Sequence, residues 1–389
     1  MAHLKRLQGD RWQVRYRDPS GRERARNLVR RVDAERYLHH IEAKKNAGEW
    51  VDPQLGRVTL AEWAERYLFT KRHLKPKTLE GYRSLLRNQI LPAFGDAPIN
   101  RIDPMTVVEW AGTLQGRGLS ASRVRQSAHL LGAMCKMAMR TGYLARNPVE
   151  SLDLPRLPRT QMHFLSAGEL NALADAARPP YGTLVLLLGY GGLRWGEAAA
   201  LRRARCDLLR SRIEVVDSVA DVGGRIHWGP TKTYQRRTVV LPAFLKDRLA
   251  WHLASEVNAD ADALVFTSPQ GAPVRHSNFH RRIWRPALAA AGLGEQVRIH
   301  DLRHTAASLL ISQGAGPKAI SEHLGHSSVQ VSLDRYGHLF PSEFEKLADH
   351  LDSAYRDAVA DGAVKPRGEV TGMMVRGSGS VAPAVSAEG

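Results

Sequence analysis

The chain has 389 residues, of which 43% are hydrophobic, and this is enough for two or three domains with buried cores. It carries 56 Lys and Arg against 39 Asp and Glu, a formal net charge of +17, which favours a polyanionic partner such as nucleic acid. Two cysteines exclude a disulfide scaffold and indicate a reducing compartment. The N-terminal residues MAHLKRLQGDRW lack the apolar segment of a signal peptide, and the longest apolar run, 182–193, is shorter than the ~20 residues that span a bilayer. We therefore expect a cytoplasmic protein with no membrane contact.

Residues 1–50 are predicted to form a small αβ module with a net positive charge, 13 Lys and Arg against 7 Asp and Glu. The alternation of Trp12, Val14 and Tyr16, followed by the turn sequence DPSG, predicts two strands, and residues 32–45 have a helical pattern. The charge leaves two interpretations open: a solvated basic face, or a small DNA-binding module.

Residues 58–146 are predicted to form an all-helical domain after a linker at WVDPQLGR, residues 50–57. Thr59 and Glu62 have the spacing of a capping box ahead of the first helix. Apolar residues at three- and four-residue spacing predict further helices at 77–91, 104–114 and 120–141, with the methionines as core side chains. The segment 147–164 holds three prolines and is predicted to be an extended linker.

Residues 165–356 are predicted to form a second domain, mostly helical, in which strands at RIEVV and RRTVVLP lie between helices. Ser166 and Glu169 form another capping-box pattern at its start. Residues 357–389 shift to Gly, Ser, Val, Ala and Pro, which predicts disorder. The predicted fold class is therefore mainly α with small β elements, an α+β arrangement.

The sequence IHDLRHT, residues 299–305, concentrates titratable groups on one predicted helix. His300 and Arg303 share a helical face, with His304 close to it. A guanidinium beside a histidine suits an anion, because its two parallel donors match two oxygens. The spacings of His300 with His304 and of His323 with His326 also suit a metal, but the fixed cation argues against one, so we expect no metal and no cofactor.

Two other segments place groups suited to a phosphate. In YGGLRWGEAAAL, two glycines end an apolar helix, and Arg194 follows near the start of the next one, where a phosphate is readily held. In HLGHSSVQVSLDRYGH, Gly325 ends a helix, Ser327 or Ser328 caps another, and Tyr336 lies near the end of that one. Lys232, in GPTKTYQRRTVVLP, is placed at the tip or start of a hairpin strand.

Together these motifs resemble the tyrosine recombinases of the phage integrase type. The family pattern combines an Arg in G-L-R-x-x-E, a Lys, H-x-x-R, L-G-H and a Tyr about nine residues further on. The matching positions in this chain are Arg194 with Glu197, Lys232, His300 with Arg303, His326 and Tyr336. The resemblance implies a catalytic domain at 165–356, a SAM-like core-binding domain at 58–146 and, through W-x-V-R-Y-R-D-x-x-G-R, an arm-binding module at 1–50.

The resemblance also implies roles for these residues. Tyr336 would attack a DNA phosphodiester to give a 3′-phosphotyrosine, and Lys232 would protonate the leaving 5′-oxygen. Arg194, Arg303 and His326 would donate to the transition-state oxygens, whereas His300 would contact the phosphate or accept the tyrosine proton. Two acidic residues are expected to orient the basic groups or, equally, to make helix caps and ordinary salt bridges: Glu197 and Asp301. Three histidines match no family catalytic position, which favours structural roles for them: His304, His323 and His338.

The implied partner is double-stranded DNA with core sites and arm sites, bound by a homotetramer and aided by bending or directionality proteins. The implied activity is integration and excision of a phage or another mobile element, and the Arg- and Ala-rich composition hints at a GC-rich host. Two alternatives remain. One is a DNA-binding regulator of the same fold without catalysis, which intact Tyr336 and both arginines disfavour. The other is a metal-dependent nuclease that uses the histidines.

Overall fold

The computed structural model contains three hydrophobic cores in succession along the chain. It describes residues 3–9, 11–18, 21–46, 55–150, 152–158, 161–231, 235–340 and 344–361. Each core is built by residues close in sequence, except that the third collects elements from 165 to 302. A fourth, smaller apolar cluster surrounds Tyr336.

The first core belongs to a three-stranded antiparallel sheet covered by one helix. The order is β1–β2–β3, with strands β1 (His3–Arg6), β2 (Trp12–Arg17) and β3 (Glu23–Leu28) and helix α1 (Arg31–Asn46). Alternation along β2 buries Val14 and Tyr16 against α1, which confirms the two predicted strands and the helix. Strand β1 was not predicted, because its sequence HLKR offers a single apolar residue and no alternation.

The second core is formed by helices only, with helical turns between them. The helices are α2 (Leu60–Thr70), α3 (Pro76–Leu85), α4 (Leu91–Phe94), α5 (Pro104–Gly116) and α6 (Ala121–Arg140). The capping box of Thr59 and Glu62 is confirmed. Trp63 of α2 donates through Nε1 to the carbonyl of Met134 at 3.0 Å, and the buried Met134 confirms the core assignment of that methionine.

The third core surrounds a helix that is buried along nearly its whole length, α8 (Tyr181–Gly191). It packs against α7 (Ala167–Ala176), whose capping box at Ser166 and Glu169 is confirmed, and against α13 (Asp301–Ser312). Burial of a Leu or Val side chain stabilises a fold by about 1.5–3 kcal/mol, so α8 is a main source of stability. The remaining helices are α9 (Trp195–Ala198), α10 (Ala243–Ser255), α11 (His276–Phe279), α12 (Arg285–Ala290), α14 (Pro317–Leu324), α15 (Val329–Tyr336) and α16 (Phe344–Ala360).

Two small antiparallel sheets lie between α9 and α10, and they correct one prediction. One has the order β4–β5–β8, with β4 (Cys206–Asp207), β5 (Arg212–Val215) and β8 (Arg237–Val240), and the other pairs β6 (Asp217–Val222) with β7 (Arg225–Pro230). Lys232 therefore follows a strand of one sheet and precedes a strand of the other, so its flanking strands do not form the predicted hairpin. The hairpin turn is instead Gly223–Gly224, where both residues have positive φ.

The C-terminal part also differs from the prediction. Helix α16 continues to Ala360, so residues 357–360 are helical where disorder was predicted, because Ala, Val and Asp at 357–360 extend the helix before the Gly-rich composition begins. Residues 362–389 lie outside the described residues. None of the helices in the described part is long and apolar enough to cross a membrane.

Candidate active site

Arg194 is positioned by a sharp turn at the end of α8. Gly192 has φ +65°, and a Cβ there would come within 2.5 Å of Leu324, so only glycine fits. The predicted helix break at the glycine pair is thus confirmed. Arg194 lies two residues further on and donates through Nη1 to Glu197 at 2.7 Å and through Nη2 to the carbonyl of Gly325 at 2.8 Å. These contacts hold its guanidinium between α9 and the residue that follows α14.

Arg303 lies on α13 and is almost completely buried, with 2% of its surface exposed. Its Nη1 donates to the carbonyl of Gly192 and its Nη2 to the carbonyl of Leu324. Burial and then the charge of Arg194 lower the pKa of Arg303 to about 9, so it is cationic at neutral pH. A guanidinium has five N–H donors, and the two carbonyls use two of them, which leaves donors for an anion.

Glu197 is the buried anion between two arginines. Its carboxylate lies 2.7 Å from Arg194 and 2.7 Å from Arg237, a residue of β8. Burial alone would raise the pKa of Glu197, but the hydrogen bond and charge of Arg237 and the charge of Arg194 lower it to about 2. Glu197 therefore stays ionised and orients Arg194, while Arg237 also donates through Nε to the carbonyl of His323 at 3.0 Å.

His326 follows Gly325, whose left-handed conformation ends α14 as predicted. Its Nδ1 lies 2.8 Å from the hydroxyl oxygen of the buried Ser332, and its buried Nε2 has no hydrogen-bond partner in the described part of the chain. Burial, followed by the charges of Arg303 and Arg335, lowers the pKa of His326 to about 3. A neutral ring that accepts from Ser332 at Nδ1 carries its hydrogen on Nε2, where it can donate to a ligand oxygen.

Tyr336 is the last residue of α15 and is fully buried. Its hydroxyl lies 2.8 Å from Nδ1 of His304, and its ring lies nearly parallel to that of His326, with centroids 6.2 Å apart. Burial raises the pKa of Tyr336, and the charges of Arg303 and Arg335 partly offset this. The phenol is therefore protonated at neutral pH.

His300 and Asp301 begin α13. His300 is exposed, and its ring meets the ring of His304 edge-on with centroids 4.9 Å apart. The residue as a whole is exposed, but its ring is partly enclosed beside His304, and this partial burial, followed by the charge of Arg303, lowers the pKa of His300 to about 4. The carboxylate of Asp301 accepts from the backbone N–H of Arg298 at 2.8 Å and from its guanidinium at 2.7 Å, so it holds the turn before α13.

Lys232 lies outside the described residues, but its flanks are described. The hydroxyl of Thr231 donates to the carbonyl of Gln235 at 2.8 Å, and Lys75 at the start of α3 donates through Nζ to the carbonyl of Thr231 at 2.9 Å. The chain before Lys232 is thus attached to the helical domain.

Sequence reasoning missed two residues of this cluster, His304 and Arg237. Arg237 lies two residues before the buried Val239 on a strand, so period-two alternation would have placed it on the inner face. His304 was noted near the face of His300, yet its contact with Tyr336 depends on how α13 and α15 pack, and the local pattern does not contain that information. In the described part of the chain, no three His, Cys, Asp or Glu side chains are grouped for a metal ion.

We expect the free energy of unfolding to depend on pH, because His304 and His326 are buried and neutral in the folded protein. In the folded protein the pKa values of His304 and His326 are about 4 and about 3, whereas an unfolded histidine titrates near 6.5. Between pH 6.5 and 4 the unfolded state therefore binds more protons, and the free energy of unfolding falls as the pH falls. We expect the melting temperature to decrease over this range, and to decrease less in His326→Gln. An equal decrease in wild type and in His326→Gln would show that protonation of His326 does not cause the loss of stability.

Known proteins of one family are similar to this chain. Residues 163–343 match the model of the phage integrase family, and residues 59–115 match the N-terminal SAM-like domain of phage integrases. The prophage phiRv2 integrase of Mycobacterium tuberculosis is 30% identical over 359 residues, which cover 89% of this chain and 94% of that protein. The chain therefore belongs to the phage integrase family of tyrosine recombinases.

Solved structures of the same fold include two integrases bound to DNA. The Tn1549 transposon integrase with a circular intermediate DNA is similar with a TM-score of 0.66 and 18% identity, over 76% of this chain and 99% of that one. The lambda integrase tetramer bound to a Holliday junction is similar with a TM-score of 0.54 and 21% identity, over 84% of this chain and 95% of that one. The mostly helical α+β fold class predicted from the sequence is confirmed.

Proposed function

We propose that this recombinase cleaves and rejoins DNA strands at specific sites through a 3′-phosphotyrosine at Tyr336, and that it integrates and excises a phage or another mobile element. The observation that carries the proposal is the convergence of Tyr336, His326, Arg303 and Arg194 from four separate elements on one buried cluster. These elements bring together the nucleophile and the cations that a phosphodiester reaction requires.

Each side chain has a role that follows from its environment. A pentacoordinate phosphorus carries extra negative charge on its non-bridging oxygens, and preorganised donors stabilise it most. Arg194 and Arg303 are already oriented by backbone carbonyls, so little reorganisation is needed on binding. His326 offers its Nε2, which has no partner among the described residues. Lys232 remains the proposed general acid for the leaving 5′-oxygen.

The reaction needs no external energy source, because one phosphodiester replaces another. Attack by the Tyr336 oxygen forms a phosphorus–oxygen bond as the bond to the 5′-oxygen breaks. The 5′-hydroxyl of a partner strand reverses these steps and joins the strands in a new combination. This chemistry uses side chains alone, and no metal or cofactor takes part in the proposal.

A nicked suicide substrate tests the proposal. When the short 5′-product diffuses away, cleavage cannot reverse, and a covalent protein–DNA complex accumulates. We expect this complex to form in the presence of EDTA, and peptide mapping to find the DNA on Tyr336. Cleavage that EDTA abolishes, without an adduct, would instead support a metal-dependent nuclease. Binding with neither cleavage nor adduct would support a DNA-binding regulator.

We also propose that residues 1–50 bind arm sites that flank the core site. Strand β3 carries Arg26, whose guanidinium lies 4.5 Å from the ring centre of Tyr37, and Arg24, which is paired with Asp18 at 3.2 Å. Arg26 therefore lies on a strand rather than on a loop, and phosphate contacts by such side chains position a protein on DNA. Deletion of residues 1–50 is expected to preserve cleavage of a minimal core site and to impair integration that depends on flanking sites. Loss of minimal-site cleavage by the truncated chain would contradict the assignment.

The proposed assembly is a homotetramer on paired DNA sites, in the cytoplasm of a bacterial host. The lambda integrase is known as a tetramer on a Holliday junction, and this chain shares its fold. Host bending and directionality proteins are proposed as further partners. The net charge of +17 supplies the non-specific attraction that brings such a protein onto DNA.

A further inference from the structure

His304 has the hydrogen-bond contact with the oxygen of the proposed nucleophile. Its Nδ1 lies 2.8 Å from the Tyr336 hydroxyl, across the interface between α13 and α15. Both side chains are buried, with 6% of His304 and 0% of Tyr336 exposed. His304 is not among the residues that match the family pattern. Its contact with the reacting atom nevertheless gives it a place in the chemistry.

Both side chains are neutral, so the direction of this hydrogen bond depends on which arrangement leaves no buried hydrogen without an acceptor. Burial raises the pKa of Tyr336, so the phenol keeps its proton. Burial and the neighbouring His300 lower the pKa of His304 to about 4, so the imidazole is neutral. If Nδ1 donated, the hydrogen of a fully buried phenol would need another acceptor, at a cost of ~1–3 kcal/mol if it found none. The favoured arrangement is therefore Tyr336 donating to Nδ1, with the His304 hydrogen on Nε2.

We propose that His304 is a catalytic residue that accepts the Tyr336 proton as the hydroxyl attacks the DNA phosphodiester; this inference rests on the proposed function. In the step, the Tyr336 O–H bond breaks and its proton moves to Nδ1 of His304. The released electron pair on oxygen forms the bond to phosphorus. The bond from phosphorus to the 5′-oxygen breaks, and that oxygen receives a proton from the general acid, proposed to be Lys232.

His300 is less suited to this step. Its ring meets the ring of His304 edge-on, on the side where α13 begins, and it is exposed to solvent. His300 is exposed at the N-terminal end of α13, whereas His304 is buried together with Tyr336. The resemblance allows His300 either to contact the phosphate or to accept the tyrosine proton, and we assign the second role to His304. His300 contacts the phosphate and His304 takes the proton.

The surroundings of His304 set the timing of the proton transfer. Burial is the main factor that opposes a positive charge on His304, followed by His300, Arg335 and Arg298, and the carboxylate of Asp301 offsets them in part. A weakly basic imidazole cannot form a phenolate in advance. The proton therefore moves while the phosphorus–oxygen bond forms, and the rate depends on the acidity of the phenol.

The test compares full-length wild type, His304→Ala and His304→Asn on the nicked suicide substrate in single-turnover experiments. Asn can accept the Tyr336 hydrogen bond but cannot take up a proton, so it separates positioning from proton transfer. We expect both variants to form the covalent complex ~10²–10⁴-fold more slowly, the usual range for a general base. DNA affinity and the melting temperature of His304→Asn should stay close to wild type. A rate for His304→Asn within threefold of wild type would overturn the inference.

A second measurement replaces Tyr336 with 3,5-difluorotyrosine, a more acidic phenol that needs less help to lose its proton. We expect fluorination to accelerate His304→Asn by at least tenfold relative to its effect on wild type. A substrate with a 5′-bridging sulfur, whose leaving group needs no acid, should rescue Lys232→Ala and leave His304→Asn slow. Fluorination without effect on His304→Asn, or rescue of that variant by the sulfur, would overturn the role. If the wild type forms no adduct at Tyr336, the proposed function itself fails.

Discussion

Replacement of Tyr336 by phenylalanine is expected to abolish formation of the covalent protein–DNA complex while leaving DNA affinity nearly unchanged. The substitution removes one hydroxyl and no charge, so phosphate contacts of the arginines persist. It leaves Nδ1 of His304 without its partner in a buried setting, at a cost of ~1–2 kcal/mol in the free energy of unfolding. The adduct is measured on a nicked suicide substrate, affinity by a binding titration, and stability by thermal melting.

Tyr181→Phe provides a matched control for this result. Tyr181 is also buried in the catalytic region, and its hydroxyl donates to the carbonyl of Thr267 at 3.1 Å. This variant loses a buried hydrogen bond of the same kind but should retain cleavage. A covalent adduct that persists in Tyr336→Phe would show that another residue is the nucleophile.

Arg303→Ala is expected to reduce the cleavage rate by at least ~10²–10³-fold, the usual loss for one transition-state donor. Its effect on folding should also be large. The guanidinium donates to two buried carbonyls, those of Gly192 and Leu324, and each unpaired carbonyl costs about 1–3 kcal/mol. Single-turnover cleavage and thermal melting measure the two effects separately. Full activity of a folded alanine variant would rule out the phosphate-binding role.

Arg303→Lys separates catalysis from stability. It keeps a positive charge and can reach one carbonyl, but a compact ammonium cannot reproduce two parallel donors, so recovery should be partial. Arg285→Ala is the control, because it removes one charge from the same domain while its guanidinium lies on the surface against Glu295. Equal losses in Arg285→Ala and Arg303→Ala would mean that net charge, rather than position, determines the rate.

The sequence was sufficient to predict the structural elements that depend only on neighbouring residues. The capping boxes at Thr59 and Ser166 and the helix ends at Gly192 and Gly325 were predicted correctly. Each depends on a side chain or a φ angle within a few residues. Trp12, Val14 and Tyr16 marked a strand for the same reason, since alternation is visible within six residues.

What the sequence could not supply depends on packing between distant segments. The hydrogen bond of His304 to Tyr336 joins residues 32 positions apart, and the bond from Arg237 to Glu197 joins residues 40 apart. No local pattern encodes either. The motif match named the residues but gave no information on how their charged groups are oriented. It was also local reasoning that placed Lys232 on a hairpin, although β7 and β8 pair with strands of different sheets.

The two arginines are held by carbonyls far away in the chain, and this has a consequence during synthesis on the ribosome. Arg194 depends on Gly325, 131 residues later, and Arg303 reaches back 111 residues to Gly192. A nascent chain that ends before Gly325 contains Arg194 but lacks one of the groups that orient it. Contacts of such long range form late, after the local helices. The arrangement of the two arginines is therefore complete only when nearly the whole polypeptide has been made.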